Sequence, residues 1–205
     1  TGATVSNLPD SVAVTSNERG NLVITSHTSK TINYKLLGSG SGSLKFYSDH
    51  LFKLEMAGVT LSSSSGPAIN LQSKKRAFIV ADEGTVNTFT DSSTYPTSSE
   101  DQKGTIFSEG QMVFCGSGSI KVTGKSKHAI CTDQYMVMDD GTLTIPSAAS
   151  DGIHVDSRFI MEGGTLNVTS SGDGVQAEGG NIAINGGTLN VTTSGEKAHG
   201  FSAER

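Results

Sequence analysis

Pairs of hydrophobic residues spaced two apart recur along the chain at a regular interval. In the clearest set each pair follows the last by 23 residues: Ile120/Val122, Leu143/Ile145, Leu166/Val168 and Leu189/Val191. A glycine stands two positions before each pair. A spacing of two is the period of a β-strand, and glycine is typical of the turns between strands. A repeat of this length indicates a solenoid, in which stacked units share one core.

Two further sets of hydrophobic pairs lie between these within each repeat. The first set runs from Leu44/Phe46 to Phe201/Ala203, and the second from Phe52/Leu54 to Ile182/Ile184. The pattern places Val113/Cys115 inward in the second set and Val86/Thr88 inward in the third. Three strands per repeat predict an all-β fold, a right-handed single-stranded parallel β-helix with three strands per turn and about 23 residues per turn.

One domain accounts for the whole sequence, since a solenoid grows without enlarging the cross-section of its core. Residues 1–43 show weaker alternation and are predicted to form an N-terminal cap and an incomplete first turn. Residues 44–205 are predicted to form the parallel β-helix, with a surface loop at 91–103 that carries the sequence DSSTYPTSSEDQK. The last turn begins at Phe201 and leaves an open C-terminal rung.

An apolar stripe is predicted on the outside of the second strand set, at Val80, Phe114, Val137 and Ile160. Exposed apolar surface of this kind asks for a cover. We expect residues 1–43, the loop at 91–103 or a second subunit to cover the stripe. If a homo-oligomer forms, the stripe and the open C-terminal rung are the two places where we expect it.

Composition narrows the range of partners and locations. The net charge is −5 and 17% of the residues are charged, which argues against binding to nucleic acid or to an anionic membrane surface. No apolar run reaches the ~20 residues of a membrane span. Abundant Gly, Ser, Thr and Asn, and a first residue other than Met, favour an extracellular or cell-surface protein whose signal peptide has been removed.

Acidic residues recur in register at two positions of the repeat. One column, just after the first strand, contains Glu109, Asp133, Asp156, Glu178 and Glu204; the other, just before it, contains Asp151 and Asp173. Stacked carboxylates repel one another unless a cation or a neighbouring base relieves them. We expect calcium, which prefers oxygen ligands, at Asp151, Asp173, Asp156, Glu178 and Asp133. The alternatives are a solvated acidic edge and, for the two Asp-Gly pairs, simple turn formation.

Polar residues form an outward ladder on the third strand set, at Lys121, Thr144, Asn167 and Asn190. Such a ladder suits hydrogen bonding to sugar hydroxyls, although it equally suits a sheet face that meets water. The chain has no tryptophan, so Tyr95 in the loop and Tyr135 beside the acidic column are the candidate stacking residues. These six residues are the candidate glycan-binding set.

Several phrases resemble a bacterial family of carbohydrate-binding-domain proteins, which are calcium-binding parallel β-helices of the secreted or surface-anchored type. The phrases are KGTIFSEGQMVFCGSGSIKVTG (103–124), KHAICTDQYMVMDDGTLTI (127–145), SDGIHVDSRFIMEGGTLNVT (150–169) and GDGVQAEGGNIAINGGTLNV (172–191). The resemblance runs from about Leu44 to Arg205. It implies an extracellular location, calcium, and the binding of a plant-type polysaccharide such as cellulose or pectic acid.

The function that these observations favour is extracellular, non-catalytic polysaccharide binding, calcium-dependent and selective for acidic glycans. The first alternative is a structural surface adhesin or scaffold. The second is a polysaccharide lyase or hydrolase, for which Arg158 near Asp156 and His154 is the one credible constellation. The acids run one per turn along edges, whereas a hydrolase needs carboxylates that converge on a single bond.

Overall fold

The structure is a computed structural model that describes residues 3–17 and 20–203. All of its regular elements are β-strands: β1 (Val12–Ser16), β2 (Leu22–Ser26), β3 (Ile32–Gly40), β4 (Leu44–Ser48), β5 (Phe52–Ser62), β6 (Ile69–Leu71), β7 (Ala77–Ala81), β8 (Val86–Thr90), β9 (Gly104–Ser108), β10 (Met112–Cys115), β11 (Ser119–Gly124), β12 (His128–Thr132), β13 (Met136–Met138), β14 (Thr142–Ala148), β15 (Ile153–Val155), β16 (Phe159–Met161), β17 (Thr165–Ser170), β18 (Val175–Ala177), β19 (Ile182–Ile184), β20 (Thr188–Thr193) and β21 (Phe201–Ala203). They wind into a β-solenoid of about eight turns with ~23 residues per turn. The predicted fold class is confirmed.

Each turn contributes one strand to each of three stacks, which we call the first, second and third columns. The first column is a separate sheet of nine strands in the order β1-β2-β4-β6-β9-β12-β15-β18-β21. The second (β7, β10, β13, β16, β19) and third (β8, β11, β14, β17, β20) columns join into one sheet of twelve strands through the long strand β5, which β3 also pairs. The neighbouring strands are parallel except for β1 and β2, which are antiparallel.

The N-terminal region contains more of the solenoid than the sequence predicted. Strand β2 pairs in parallel with β4, and β3 pairs along its length with β5, so Leu22–Gly40 supply strands to all three columns. These residues form a full turn, where we had expected an incomplete one. In the described part of the N-terminal region, the antiparallel strand β1 and residues 3–11 before it serve as the cap.

The predicted registers of the first and third columns hold over most of their length. Ile130 pairs with Ile106 and Ile153 in the first column. In the third column Ile120, Leu143, Leu166 and Leu189 are in register, as predicted. Gly164 precedes Leu166 with φ of 79°, a left-handed conformation that glycine adopts without strain.

The register of the second column differs from the prediction by one residue at β10. Met112 and Phe114 point inward and are 0% and 2% exposed, so the expected inward pair Val113/Cys115 lies on the outside. The segment is apolar at both alternations, and the hydrophobic pattern therefore gives no basis for choosing a register. The outer stripe in register consists of half-buried Phe78, Val113, Val137 and Ile160. The expected members Val80 and Phe114 are not part of it, because Val80 lies opposite Cys115 and Phe114 points inward.

The third column contains a buried asparagine in place of the expected pair Val86/Thr88. Asn87 is 0% exposed, whereas Val86 is 63% exposed. The Asn87 side chain accepts hydrogen bonds from the backbone N–H groups of Gly58 and Val59 at 2.9 and 3.0 Å. It satisfies these groups where β5 bends from the second column into the third, and this pairing offsets the cost of burying an amide.

Apolar side chains are exposed on the two turns nearest the C-terminal end of the described solenoid. Ile184 is 40% exposed and Phe201 is 44% exposed. The homo-oligomer expected at this rung or at the outer stripe stays a prediction.

Candidate functional site

The loop at 91–103 folds back over the outer face of the first column. Glu100 pairs with Lys45 at 2.6 Å and accepts a hydrogen bond from the Tyr47 hydroxyl. Further along the column, the Gln102 carbonyl accepts from Lys127 at 2.6 Å, and Lys103 pairs with Asp133 at 2.7 Å. The last residues of the loop are therefore attached to the second turn through Glu100 and to the fifth turn through Gln102 and Lys103.

This cover divides the outward residues of the first column into two groups. Asn70, Phe107 and Cys131 point outward yet are 4%, 0% and 0% exposed. The next two residues in register, His154 and Gln176, are only half-buried. The open part of this face thus begins at His154.

His154 links the two predicted groups of acids. Its Nδ1 lies 2.8 Å from Gln176 Oε1 and 3.2 Å from Asp151 Oδ2, on the side that precedes the strand. Its Nε2 lies 3.4 Å from Glu178 Oε2 and 3.9 Å from Asp156 Oδ1, on the side that follows it. The sequence indicates His154 only as a neighbour of Arg158 and does not predict this bridging position.

Both carboxylate oxygens of Asp151 already have hydrogen-bonding partners. Oδ1 accepts from the Asp173 backbone N–H at 2.7 Å, and Oδ2 lies 3.1 Å from His128 Nδ1 as well as near His154. Burial raises the pKa of the Asp151 carboxyl, but the hydrogen bonds from the two imidazoles outweigh it and hold that pKa below its ordinary value. The hydrogen bond with Asp151 in turn raises the pKa of His154.

The remaining predicted metal ligands have different partners. Asp173 Oδ1 accepts from the His199 backbone N–H at 2.7 Å, and Asp133 is paired with Lys103. Among residues 3–17 and 20–203, Asp156 forms its one ion pair with His154. Burial, and then repulsion from Asp133, raise the pKa of its carboxyl, against the opposing charge of Lys103. Glu204 of the acidic column lies outside the described residues.

Calcium fits this donor set poorly. Calcium takes six to eight oxygen ligands, yet three of the five predicted carboxylates are engaged by imidazole, lysine or backbone N–H groups. The two that are left, Asp156 and Glu178, face a ring nitrogen. Calcium binding stays a prediction, and no contact of these side chains requires it.

The polar ladder of the third column is in register as predicted. Lys121 pairs with Thr144, Thr144 with Asn167, and Asn167 with Asn190. The amide of Asn190 donates to Asn167 Oδ1 at 2.8 Å, so part of the ladder's hydrogen-bonding capacity is used internally. Lys121 is exposed and makes no ion pair among the described residues.

The two candidate tyrosines lie in different environments. The hydroxyl of Tyr95 donates to Asp91 at 2.7 Å, and Lys127 Nζ stands 5.3 Å from its ring centroid. Burial, followed by the negative charge of Asp91, raises the pKa of Tyr95. Tyr95 therefore acts in holding the loop, and a role in stacking sugars stays a prediction.

Tyr135 stands between two arginines. Arg76 donates to its hydroxyl at 2.6 Å, and the guanidinium carbons of Arg76 and Arg158 lie 5.9 and 5.1 Å from its ring centroid. Both arginines are exposed, and neither forms an ion pair within residues 3–17 and 20–203. This group, Arg76–Tyr135–Arg158, is the arginine–tyrosine cluster.

The sequence predicts Tyr135 as a site residue but not Arg76. The two are 59 residues apart, yet both directly precede a strand of the second column, where Arg76, Gln111, Tyr135 and Arg158 lie in successive turns. Aligning successive turns on the residue just before this strand would have placed Arg76 and Tyr135 at the same position of the repeat. The repeat is interrupted by the loop between Arg76 and Gln111, which obscures that alignment.

Within the part of the chain that is described, no helix is long and apolar enough to cross a membrane.

Comparison with known proteins identifies the family. A family model described as "Carbohydrate-binding domain-containing protein" matches residues 18–204. The chain belongs to this family. The resemblance inferred from the sequence is therefore confirmed, and a carbohydrate-binding domain implies a polysaccharide partner.

A solved structure supports the fold independently. It is the polysaccharide lyase-like protein from C. thermocellum, as a gadolinium derivative, with a TM-score of 0.82 over 97% of this chain and 89% of that chain. The two sequences are 19% identical, so the likeness concerns the fold alone. No curated protein matches the sequence.

Proposed function

We propose that this protein binds acidic polysaccharides outside the cell without cleaving them. Membership of a carbohydrate-binding family supports the general partner. The observation that carries the choice of acidic glycans is the arginine–tyrosine cluster, in which two exposed guanidinium groups lie against one tyrosine. Neither guanidinium is paired with a carboxylate of the described residues.

Guanidinium groups are suited to this recognition because their planar donors match a carboxylate in a bidentate way. The ring of Tyr135 restrains both arginine side chains, and its hydroxyl also restrains Arg76 by accepting a hydrogen bond from it. Side chains that are already restrained lose less conformational entropy when a ligand binds. A uronate carboxylate is thus the sugar substituent that this cluster is best arranged to hold.

Local charge offsets the overall charge of the protein. The net charge of −5 repels a polyanion at long range. Lys74 and Lys75 are exposed and directly precede Arg76, which makes this corner locally basic. Because screening limits the reach of exposed charges to about 8–10 Å in physiological salt, the nearby cations decide the short-range attraction.

Non-catalytic binding is favoured by the arrangement of the acids. Asp133, Asp156 and Glu178 follow one another in successive turns, one carboxylate per turn. Hydrolysis requires an acid and a base that act on the same glycosidic bond from two sides. A ladder on one edge does not supply that geometry.

The test is a calorimetric titration of the intact chain with oligogalacturonate, repeated for a variant with Arg76→Gln and Arg158→Gln. Each charge-assisted contact contributes about 1.5–3 kcal/mol, so the double variant should bind at least about 10-fold more weakly. Lys121→Gln removes one positive charge from the polar ladder and serves as the control for a change of charge elsewhere. Its affinity should remain within about 3-fold of that of the unchanged protein, since it lies on another face.

Other results would replace the proposal. A loss in Lys121→Gln alone would move the site to the polar ladder, and binding that disappears with chelator would favour a calcium bridge to the uronate over direct recognition by arginine. Release of unsaturated or reducing sugars during the titration would establish an enzyme. Absence of binding to oligogalacturonate and to cellulose would support the scaffold.

A further inference from the structure

We propose that His154, Asp156 and Glu178 form a binding site for a zinc-type divalent transition metal ion, with Asp151 and Gln176 orienting the imidazole from behind. One imidazole nitrogen and two carboxylates are donors that zinc accepts readily. The proposal does not depend on glycan binding.

The donor atoms are close to the separations that a bound ion needs. Nε2 of His154 lies 3.4 Å from Glu178 Oε2 and 3.9 Å from Asp156 Oδ1, and all three donor atoms lie within 4.8 Å of one another. Ligands about 2.0–2.2 Å from a tetrahedral zinc are about 3.3–3.6 Å apart. Small rotations of the two acidic side chains would complete the approach.

The contacts of Nδ1 of His154 determine which ring nitrogen is available to bind a metal ion beside Asp156 and Glu178. Nδ1 of His154 lies near Asp151 Oδ2 and Gln176 Oε1, at 3.2 and 2.8 Å. These two acceptors are closer to Nδ1 than the acids are to Nε2, at 3.4 and 3.9 Å, so Nδ1 keeps the proton when the ring is neutral. The lone pair of Nε2 then points toward Asp156 and Glu178. Histidines that bind metal ions commonly donate their other N–H to a carboxylate in this way.

Exposure gives the ion a path to the site. The side chains of Glu178 and Asp156 are 61% and 42% exposed, while that of His154 is 15% exposed. The imidazole of His154 is therefore mostly buried on the face of the first column, whereas the two carboxylates are exposed to solvent. Three protein ligands leave one coordination position open for water or for an oxygen of a bound molecule.

The imidazole distinguishes this site from a calcium site. Calcium is coordinated by oxygen, and an imidazole nitrogen contributes little to its binding, whereas zinc binds imidazole well. Asp133, the next acid in the column, is paired through Oδ1 with Lys103 at 2.7 Å. We therefore expect zinc to bind at least about 100-fold more tightly than calcium.

The experiment measures Zn²⁺ binding to the intact chain, freed of metal by chelation, by competition with a chromophoric zinc indicator at neutral pH. One Zn²⁺ per chain should bind, and Glu178→Gln with Asp156→Asn should weaken binding at least about 10-fold. Asp139→Asn with Asp140→Asn removes the same charge at another exposed corner and should leave the affinity within about 3-fold.

A second control separates this site from the neighbouring group His128, Asp151 and His154, whose donor atoms also lie within 4.8 Å of one another. His128→Gln should leave zinc affinity within about 3-fold if the proposed triad binds the ion. A large loss in His128→Gln with little loss in the acid variant would overturn the assignment. Absence of zinc binding, or equal affinity for calcium, would overturn the proposal itself.

Discussion

The outer face of the first column contains two regions built from the same repeat, one covered and one open. Under the loop, Phe107 and Cys131 point outward and are 0% exposed. One turn further along, the same register position is occupied by His154, which contacts Asp151, Gln176 and Glu178. The backbone is equivalent in both regions, so the difference comes from a loop that covers only part of the face. Outward apolar residues are found where the loop covers the face, and ionisable residues are found on the turns beyond the loop.

The largest expected effect on stability comes from truncating a side chain under the loop. Phe107→Ala should lower the free energy of unfolding by about 3–5 kcal/mol, as much as the inward-facing change Leu166→Ala at about 2–5 kcal/mol, because both side chains are fully buried. Denaturant unfolding of the two variants would measure these losses in the free energy of unfolding. Gln176→Ala, at the equivalent outward position in the open region, should cost less than about 1 kcal/mol.

A result of the opposite kind would break the comparison. If Phe107→Ala costs no more than Gln176→Ala, the loop does not exclude water from this face.

An intermediate effect is expected at the boundary between the regions. Asp151→Asn should destabilise the protein by about 1–3 kcal/mol, because the amide cannot accept from both imidazoles and from the Asp173 N–H as the carboxylate does. The same variant should weaken zinc binding about 10-fold or more, since His154 loses its orienting partner. A purely structural Asp151 would give the first effect without the second, and zinc competition on the folded variant distinguishes the two.

The smallest effect concerns the loop anchor. Glu100→Gln removes the charge that pairs with Lys45, and should cost about 1 kcal/mol or less. It should also loosen the cover over Cys131. Burial, and secondly the charge of Asp133, raise the pKa of the Cys131 thiol, so at pH 8 this thiol is largely protonated and reacts slowly.

The measurement is thiol labelling in a Cys115→Ser background, in which Cys131 is the sole remaining cysteine. The rate for Cys131 should be low and should rise several-fold in Glu100→Gln. Fast labelling without the Glu100 change would show that the loop does not protect this face.

Glu100 also affects Tyr47, whose pKa is raised to about 12 by burial and by the hydrogen bond to Glu100. The phenol is therefore neutral below that pH. In Glu100→Gln the pKa should move down toward the ordinary tyrosine value of about 10, which an ultraviolet titration would detect.

The hydrophobic pattern predicted the fold wherever only one alternation of a strand is apolar. The ladder from Ile120 to Leu189 satisfies this condition, because polar residues such as Thr144 and Asn167 separate its members. At Met112–Cys115 both alternations are apolar, and the prediction chose the wrong one. At Asn87 an amide is buried for the sake of two backbone N–H groups, which a pattern of hydrophobicity cannot anticipate.

The candidate site was less predictable because its members depend on partners from other turns. Tyr135 was predicted as a glycan contact, but Arg76 reaches it from two turns away across the inserted loop. The acidic columns were found, yet which carboxylates remain free depends on Lys103, His128 and His154. The periodicity of the sequence gives the position of a side chain on the solenoid, and the structure is needed to show what that side chain contacts.

The most direct test of the proposed function is a hydrogen-exchange footprint of the intact chain with and without oligogalacturonate. Binding at the arginine–tyrosine cluster predicts slower exchange at the backbone amides around Arg76, Tyr135 and Arg158, with the polar ladder from Lys121 to Asn190 unchanged. Protection along that ladder, with none around Tyr135, would contradict the account.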